Sequence, residues 1–171
     1  MGKRDLFWDS VPTNDEGHLL WPADPDARTH MAGQVLGARL VGALDSILDD
    51  EVAAAEGRLP APGSHNYEAE AKFRSVFATL SPQQREAVVR LVKRASSGTL
   101  YWALVKLDNF IGGNLDIVVH PWGPDGEPMA SCVVNQDELH HMYFDWIEQF
   151  SDHIVEGDDA AQQRDEADEA R

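Results

Sequence analysis

The feature that most constrains the fold is a long run of apolar residues at helical spacing in the first third of the chain. Between residues 29 and 56, apolar side chains recur every three or four positions, which places them on one broad face of a helix. Gly57 and Pro60 follow and end it. Three glycines on this helix permit close approach of another helix, from the same chain or from a second copy: Gly33, Gly37 and Gly42.

Three more helices are predicted before residue 112. The first carries an apolar stripe expected to face the core, formed by Ala69, Phe73, Val76, Phe77 and Leu80. The second begins at the capping sequence Ser81-Pro82-Gln83-Gln84 and is expected to end at Gly98. Its predicted core face is formed by Val88, Leu91, Val92 and Ala95.

Residues 99–111 fit both a helix and an alternating strand. We predict a buried helix that ends at Gly112-Gly113. Trp102 in this stretch, like Trp146 near the end of the chain, falls on an apolar stripe and is expected in the core.

Residues 115–134 predict a β-hairpin, because two short apolar runs flank a loop that contains Asp125-Gly126. Pairing Val119 with Cys132 places the thiol on the apolar face and His120 on the opposite face. A final amphipathic helix starts after Asn135, which is expected to cap it. The predicted fold class is therefore α+β and predominantly α, with about five helices packed with one antiparallel β-hairpin.

Three regions are predicted along the chain. Residues 1–28 are rich in turn-forming residues with embedded aromatic side chains, which indicates an irregular N-terminal arm pinned by its aromatics. Residues 29–155 are expected to form a single α+β domain. Residues 156–171 carry seven acids and no large apolar side chain, so we predict a disordered acidic tail.

The charge balance disfavours two classes of partner. The chain has 30 acidic and 14 basic residues and a formal net charge of −16, which opposes binding to nucleic acid or to an anionic membrane. The apolar stretch at residues 35–48 is interrupted by Arg39 and Asp45 and is shorter than a membrane span. Because the one cysteine forms no internal disulfide and the N-terminus lacks a signal pattern, we expect a cytoplasmic protein.

The charges are also segregated along the chain. Between Lys72 and Lys106 there are seven basic residues and one acid, Glu86. This segment predicts either a solvated helix face or a docking surface for an acidic partner. Trp122, in the hairpin loop, is an additional candidate recognition anchor. The predicted partner-binding residues are Arg85, Arg90, Lys93, Arg94 and Trp122.

A metal site is the second hypothesis. Asp137, His141 and Asp145 are four positions apart and share one face of the last helix, and His120 could join them. The same pattern is also typical of a solvated helix surface. Because the common nucleotide-binding and hydrolase motifs are absent from the sequence, we predict no catalytic residues and no cofactor.

The sequence therefore predicts a small acidic cytosolic protein that acts by protein–protein interaction, as an adaptor, an inhibitor or an immunity-type protein. The expected partner is an unidentified protein, and a homodimer is a further candidate. The alternative is a metal-dependent or acid/base enzyme with a His/Asp site on the C-terminal helix. Mimicry of DNA by an acidic surface is weaker, because much of the acid lies in the tail.

Overall fold

The computed structural model describes residues 2–58, 67–109, 115–134 and 139–153, and these contain five helices and one two-stranded antiparallel sheet. This confirms the predicted fold class. The helices are α1 (Lys3–Ser10), α2 (Pro25–Ala55), α3 (Tyr67–Ala78), α4 (Pro82–Asp108) and α5 (Leu139–Phe150); the strands are β1 (Val118–Val119) and β2 (Cys132–Val133). The predicted tail, the Gly112-Gly113 stop and the Asn135 cap lie outside the described residues.

The contacts divide the chain into two compact units. The first unit comprises Met1–Gly42 and Tyr101–Arg171, and the second comprises Ala43–Leu100. The two boundaries fall inside α2 and α4. A single domain over residues 29–155 stays a prediction.

Helix α5 supplies much of the core of the first unit, and half of its residues are buried. Tyr101 of α4 packs against the rings of Tyr143 and Phe144, with centroids 5.7 and 5.4 Å away. Trp146 lies directly against Gly37 of α2, where a Cβ would overlap the indole. The predicted close approach at the glycines of α2 is therefore made within the chain. The buried α5 residues are Leu139, Tyr143, Phe144, Trp146, Ile147 and Phe150.

The start of the chain is more regular than predicted. The expectation of an irregular arm over residues 1–28 is wrong for Lys3–Ser10, which form α1, and α2 already begins at Pro25. Helix α1 lies on α5: the Phe7 and Phe150 rings are 4.9 Å apart, and the Lys3 backbone N–H donates to Asp152 Oδ1 at 2.9 Å. These contacts with α5 and with Asp152, just after its end, give the short helix α1 a surface to pack on.

Helix α4 is longer than the sequence suggested. The predicted stop at Gly98 is wrong, because the helix continues to Asp108 and includes the segment predicted as a separate helix. Gly98 is not among the described glycines with positive φ, so it does not adopt the left-handed conformation that ends a helix. Tyr101 and Leu104 continue the buried side beyond it. The prediction that Trp102 is buried is also wrong, since 61% of its surface is exposed.

The second unit contains a buried arginine. Arg74 of α3 donates to Asp50 Oδ1 at 2.7 Å and to Glu70 Oε2 at 3.3 Å, and it reaches the carbonyl oxygen of Arg58 at 3.4 Å. The hydrogen bond to Asp50 is the largest of the effects that raise the pKa of this guanidinium; burial opposes them. The side of α3 turned inward is therefore the side that carries Arg74.

Part of the core predicted for α3 and α4 is wrong. Phe73 and Val76 of α3 are more than half exposed, and so is Leu91 of α4, although all three were expected inside. The apolar stripe of α3 was assigned to the core because its residues repeat at helical spacing. Arg74 is accommodated there because its donors are hydrogen-bonded.

The sheet has the predicted register, in which Val119 pairs with Cys132 and Val118 with Val133. Cys132 is buried with Ala32 and Val134, and Trp21, Leu36, Ile117 and Val119 pack against this cluster. Each strand is only two residues long. The hairpin is therefore supported by side-chain packing more than by its ladder.

Among the described residues, α2 is long and apolar enough to cross a membrane by length and composition alone. A core helix of a soluble protein has the same properties, and Ala32, Ala38, Val41, Leu44 and Leu48 of α2 are buried.

Candidate functional site

Two tight hairpin loops of the first unit form the walls of an open groove. The first loop, Pro12–Leu20, is joined by an isolated bridge between Thr13 and Leu19. The second loop, Pro121–Met129, is joined by a bridge between Trp122 and Pro128. We call these the first and second hairpin loops.

Each loop turns at a glycine with positive φ, Gly17 at +80° and Gly126 at +79°. Glycine suits both positions because it adopts this conformation without a steric penalty. In the first loop, Asn14 Oδ1 accepts hydrogen bonds from the backbone N–H groups of Glu16 and His18. In the second loop, Gly123 N–H donates to the Glu127 carbonyl at 2.7 Å. Both walls are thus held by their own hydrogen bonds.

The cavity between the loops has a volume of about 700 Å³. We call it the tryptophan groove, since two indoles line it. Its lining residues are Asn14, Glu16, Gly17, His18, Leu19, Leu20, Trp21, His120, Pro121, Trp122, Gly123, Pro124 and Gly126.

The two tryptophans of the groove differ in exposure. Trp21 is half-buried and packs on the cluster that contains Cys132 and Val134, so it is anchored to the core. Trp122 is 62% exposed on the second hairpin loop. A large side chain exposed beside a concave surface is typical of a recognition anchor, because an indole offers a large contact area with few rotatable bonds.

Two imidazoles, one carboxylate and the Asn14 amide are the main polar side-chain groups of the groove. His120 Nδ1 and Ser131 Oγ share a hydrogen bond of 2.7 Å, which fixes the orientation of the His120 ring. His18 Nδ1 lies 3.8 Å from Glu16 Oε2, and both side chains are largely exposed. Glu16 is the one carboxylate in the lining that the structure describes.

The described lining of the groove is mainly apolar. None of the described lining residues has a hydroxyl, thiol or amine side chain, so the groove holds no nucleophile of the usual kinds apart from its imidazoles and one carboxylate. What it offers is indole and proline surface, with a few polar groups that can orient a ligand.

The structure brings together two residues that the sequence singled out separately. His120 was a candidate metal ligand and Trp122 a candidate partner-binding residue, and both line the groove. His141 and Asp145 lie exposed on α5, while Asp137 is outside the described residues. In the described ranges, no three His, Cys, Asp or Glu side chains form a metal-ligand group.

The other predicted partner-binding residues lie on α4 in the second unit. Arg85 Nε donates to the Leu80 carbonyl at 3.0 Å, and Arg90 pairs with Glu86 at 3.4 Å. Lys93 and Arg94 follow on the same helix. An acidic partner for these four residues stays a prediction.

Sequence reasoning missed His18 and Trp21 as site residues. The local signal for the first loop was present, because Asn14 and Gly17 are typical of a tight turn between Thr13 and Leu19. Nothing local indicated that this turn would lie beside residues about a hundred positions later in the chain.

The chain matches no known family model, no curated protein and no solved structure.

Proposed function

We propose that this protein acts by binding another protein, as an adaptor or inhibitor, and that the tryptophan groove holds an extended segment of that partner. The observation that carries the proposal is the exposed Trp122 at an open cavity of about 700 Å³ that also contains the core-anchored Trp21.

The shape of the groove favours a peptide segment as the ligand. It lies open between two loops, so a chain can enter and leave at its ends without being enclosed. Trp21, Trp122 and Pro124 offer apolar surfaces of the kind that bind extended, proline-containing segments. His18 and His120 add hydrogen-bonding groups beside them.

The rigidity of the walls supports the same conclusion. Each loop is closed by its own backbone hydrogen bonds, and the His120 ring is held by Ser131. A preformed groove loses less conformational entropy when a ligand binds than a flexible one does.

The experiment is selection from a random peptide display library on the immobilised full chain. We expect enriched peptides that bind the wild type and lose about thirtyfold in affinity to Trp122→Ala, because a tryptophan anchor contributes about 2 kcal/mol at such a site. The dissociation constants are measured with labelled peptides by fluorescence polarisation.

The matched control is Trp102→Ala. Trp102 is 61% exposed, almost the same as Trp122, but it lies on α4 and does not line the groove. The control should keep wild-type affinity, and both variants should unfold at the wild-type temperature. Failure to enrich any peptide, or equal losses in the two variants, would rule out the groove as the binding site.

A further inference from the structure

We infer that the segment held by the tryptophan groove is basic, with lysine or arginine side chains placed over the indoles and towards the acids of the two hairpin loops. The inference rests on the proposed function and adds the chemical class of the partner.

The first support is the charge of the groove walls. The first and second hairpin loops contain no lysine or arginine. All four of their carboxylate side chains belong to exposed residues: Asp15, Glu16, Asp125 and Glu127. A ligand entering between these loops therefore meets negative charge on both sides.

Two of these acids are tied to the groove itself. Glu16 lines the cavity directly. A Cβ built on the lining residue Gly123 would lie 2.8 Å from Asp125 Oδ1, so the Asp125 carboxylate lies against the groove wall. Cationic groups of a ligand would thus find one carboxylate on each loop.

The second support is the indole surface. The face of an indole ring attracts ammonium and guanidinium groups, and tryptophan does so more strongly than phenylalanine or tyrosine. The protein already makes such a contact elsewhere in the first unit, where the Arg39 guanidinium carbon lies 4.7 Å from the centre of the Trp8 ring. Trp21 and the more exposed Trp122 both line the groove, where a ligand cation can reach indole surface.

Anionic and neutral segments fit less well. An acidic segment would be repelled by the four loop carboxylates, and the described lining has no lysine or arginine to pair with it. A neutral segment would gain the apolar contacts and hydrogen bonds but no pairing with the loop carboxylates. The net charge of −16 on the whole chain also favours the approach of a basic partner.

The test uses the full chain and three synthetic peptides of equal length, in which proline alternates with lysine, with serine or with glutamate. We expect the lysine peptide to bind about tenfold more tightly than the serine peptide. The glutamate peptide should not bind measurably. Raising the salt concentration from about 0.05 to about 0.5 M should weaken the lysine peptide severalfold and leave the serine peptide nearly unchanged.

Charge-neutralising variants test the loop acids. In Glu16→Gln/Asp125→Asn, the affinity for the lysine peptide should fall towards the wild-type affinity for the serine peptide. The matched control is Asp116→Asn/Glu148→Gln, which removes two exposed acids outside the hairpin loops and should change neither affinity. Trp122→Ala should weaken both peptides.

The outcomes separate the inference from the proposed function. Equal binding of the serine and lysine peptides, lost in Trp122→Ala, would overturn the basic partner and leave the peptide groove in place. Preference for the glutamate peptide would do the same. If no peptide binds and the display selection also yields none, both proposals fail. Self-association that Trp122→Ala abolishes, with no peptide binding, would replace the basic segment by a second copy of the chain and overturn the inference.

Discussion

At the scale of single residues, Asp108 connects the end of α4 to the beginning of α5. Its carboxylate accepts hydrogen bonds from the backbone N–H groups of Leu139 and His140, each at 2.9 Å, and it lies 2.7 Å from His140 Nδ1. Its side chain is only 5% exposed. The first N–H groups of a helix have no partner within the helix, so an acceptor from elsewhere in the chain stabilises this end.

We expect Asp108→Ala to lower the free energy of unfolding by about 2–3 kcal/mol, because it leaves buried N–H groups without an acceptor. The measurement is urea unfolding followed by tryptophan fluorescence. The control is Asp116→Ala, an exposed aspartate whose loss should cost less than about 0.5 kcal/mol. Equal losses in the two variants would show that the cap contributes nothing specific.

At the scale of elements, the contact between α2 and α5 depends on glycine at one position. Gly37 faces the Trp146 indole so closely that a Cβ would overlap the ring. Gly33, one turn earlier on α2, faces the flexible end of Met142, with the added Cβ 3.0 Å from Cε. Of these two glycines of α2, Gly37 therefore faces a rigid ring and Gly33 faces a flexible side chain.

Alanine at these two positions should therefore have opposite effects. Gly37→Ala is expected to lower the free energy of unfolding by about 1–3 kcal/mol, since overlap with a buried indole costs more than the helix propensity gains. Gly33→Ala should be neutral or stabilising by up to about 1 kcal/mol, because Met142 can move. Thermal unfolding followed by circular dichroism measures both. A stabilising Gly37→Ala would contradict the close packing.

The elements also show what the sequence could and could not predict. The last helix was predictable because its apolar residues repeat on one face, and the hairpin because two short apolar runs flank Asp125-Gly126. The prediction that α4 ends at Gly98 was wrong because this glycine does not adopt the left-handed conformation that ends a helix. Buried residues of α4 continue beyond it. The predicted core side of α3 was wrong because the partners of Arg74 include Asp50, and no local pattern indicates a partner 24 positions away.

The groove was predictable only in its parts. Both hairpin loops carry local turn signals, and Trp122 was singled out from its loop position. Their proximity depends on how the first unit brings together residues 14–21 and 120–126, and no local pattern encodes that pairing. His18 and Trp21 became site residues for this reason alone.

At the scale of the whole molecule, the formal net charge of −16 acts on stability and on binding in opposite directions. Like charges repel within the folded chain, and added salt screens that repulsion. The same salt would screen the attraction that we propose between the hairpin-loop acids and a basic ligand.

We therefore expect sodium chloride at about 0.3 M to raise the unfolding temperature by about 2–4 °C relative to low salt, equivalent to about 1 kcal/mol. The measurement is thermal unfolding at several salt concentrations. A variant truncated after Val155 lacks seven acids and two arginines, so its formal charge is −16 + 7 − 2 = −11. Salt should raise the unfolding temperature of this variant by less than that of the full chain. An unfolding temperature that falls with salt would contradict the role of repulsion.

The capping contact at Asp108 has one more consequence, for how the protein can change over evolution. The chain leaves α4 at this carboxylate and returns to it at Leu139, 31 positions later, after passing through the second hairpin loop. The hydrogen bond from Leu139 to Asp108 joins the two ends of this connection. The free-energy cost of closing such a loop grows slowly with its length, by about 0.6 kcal/mol for each doubling. Because Cys132 and Val134 of this connection are buried, insertions should be tolerated best in its exposed second hairpin loop, where they would leave the helices and the core unchanged.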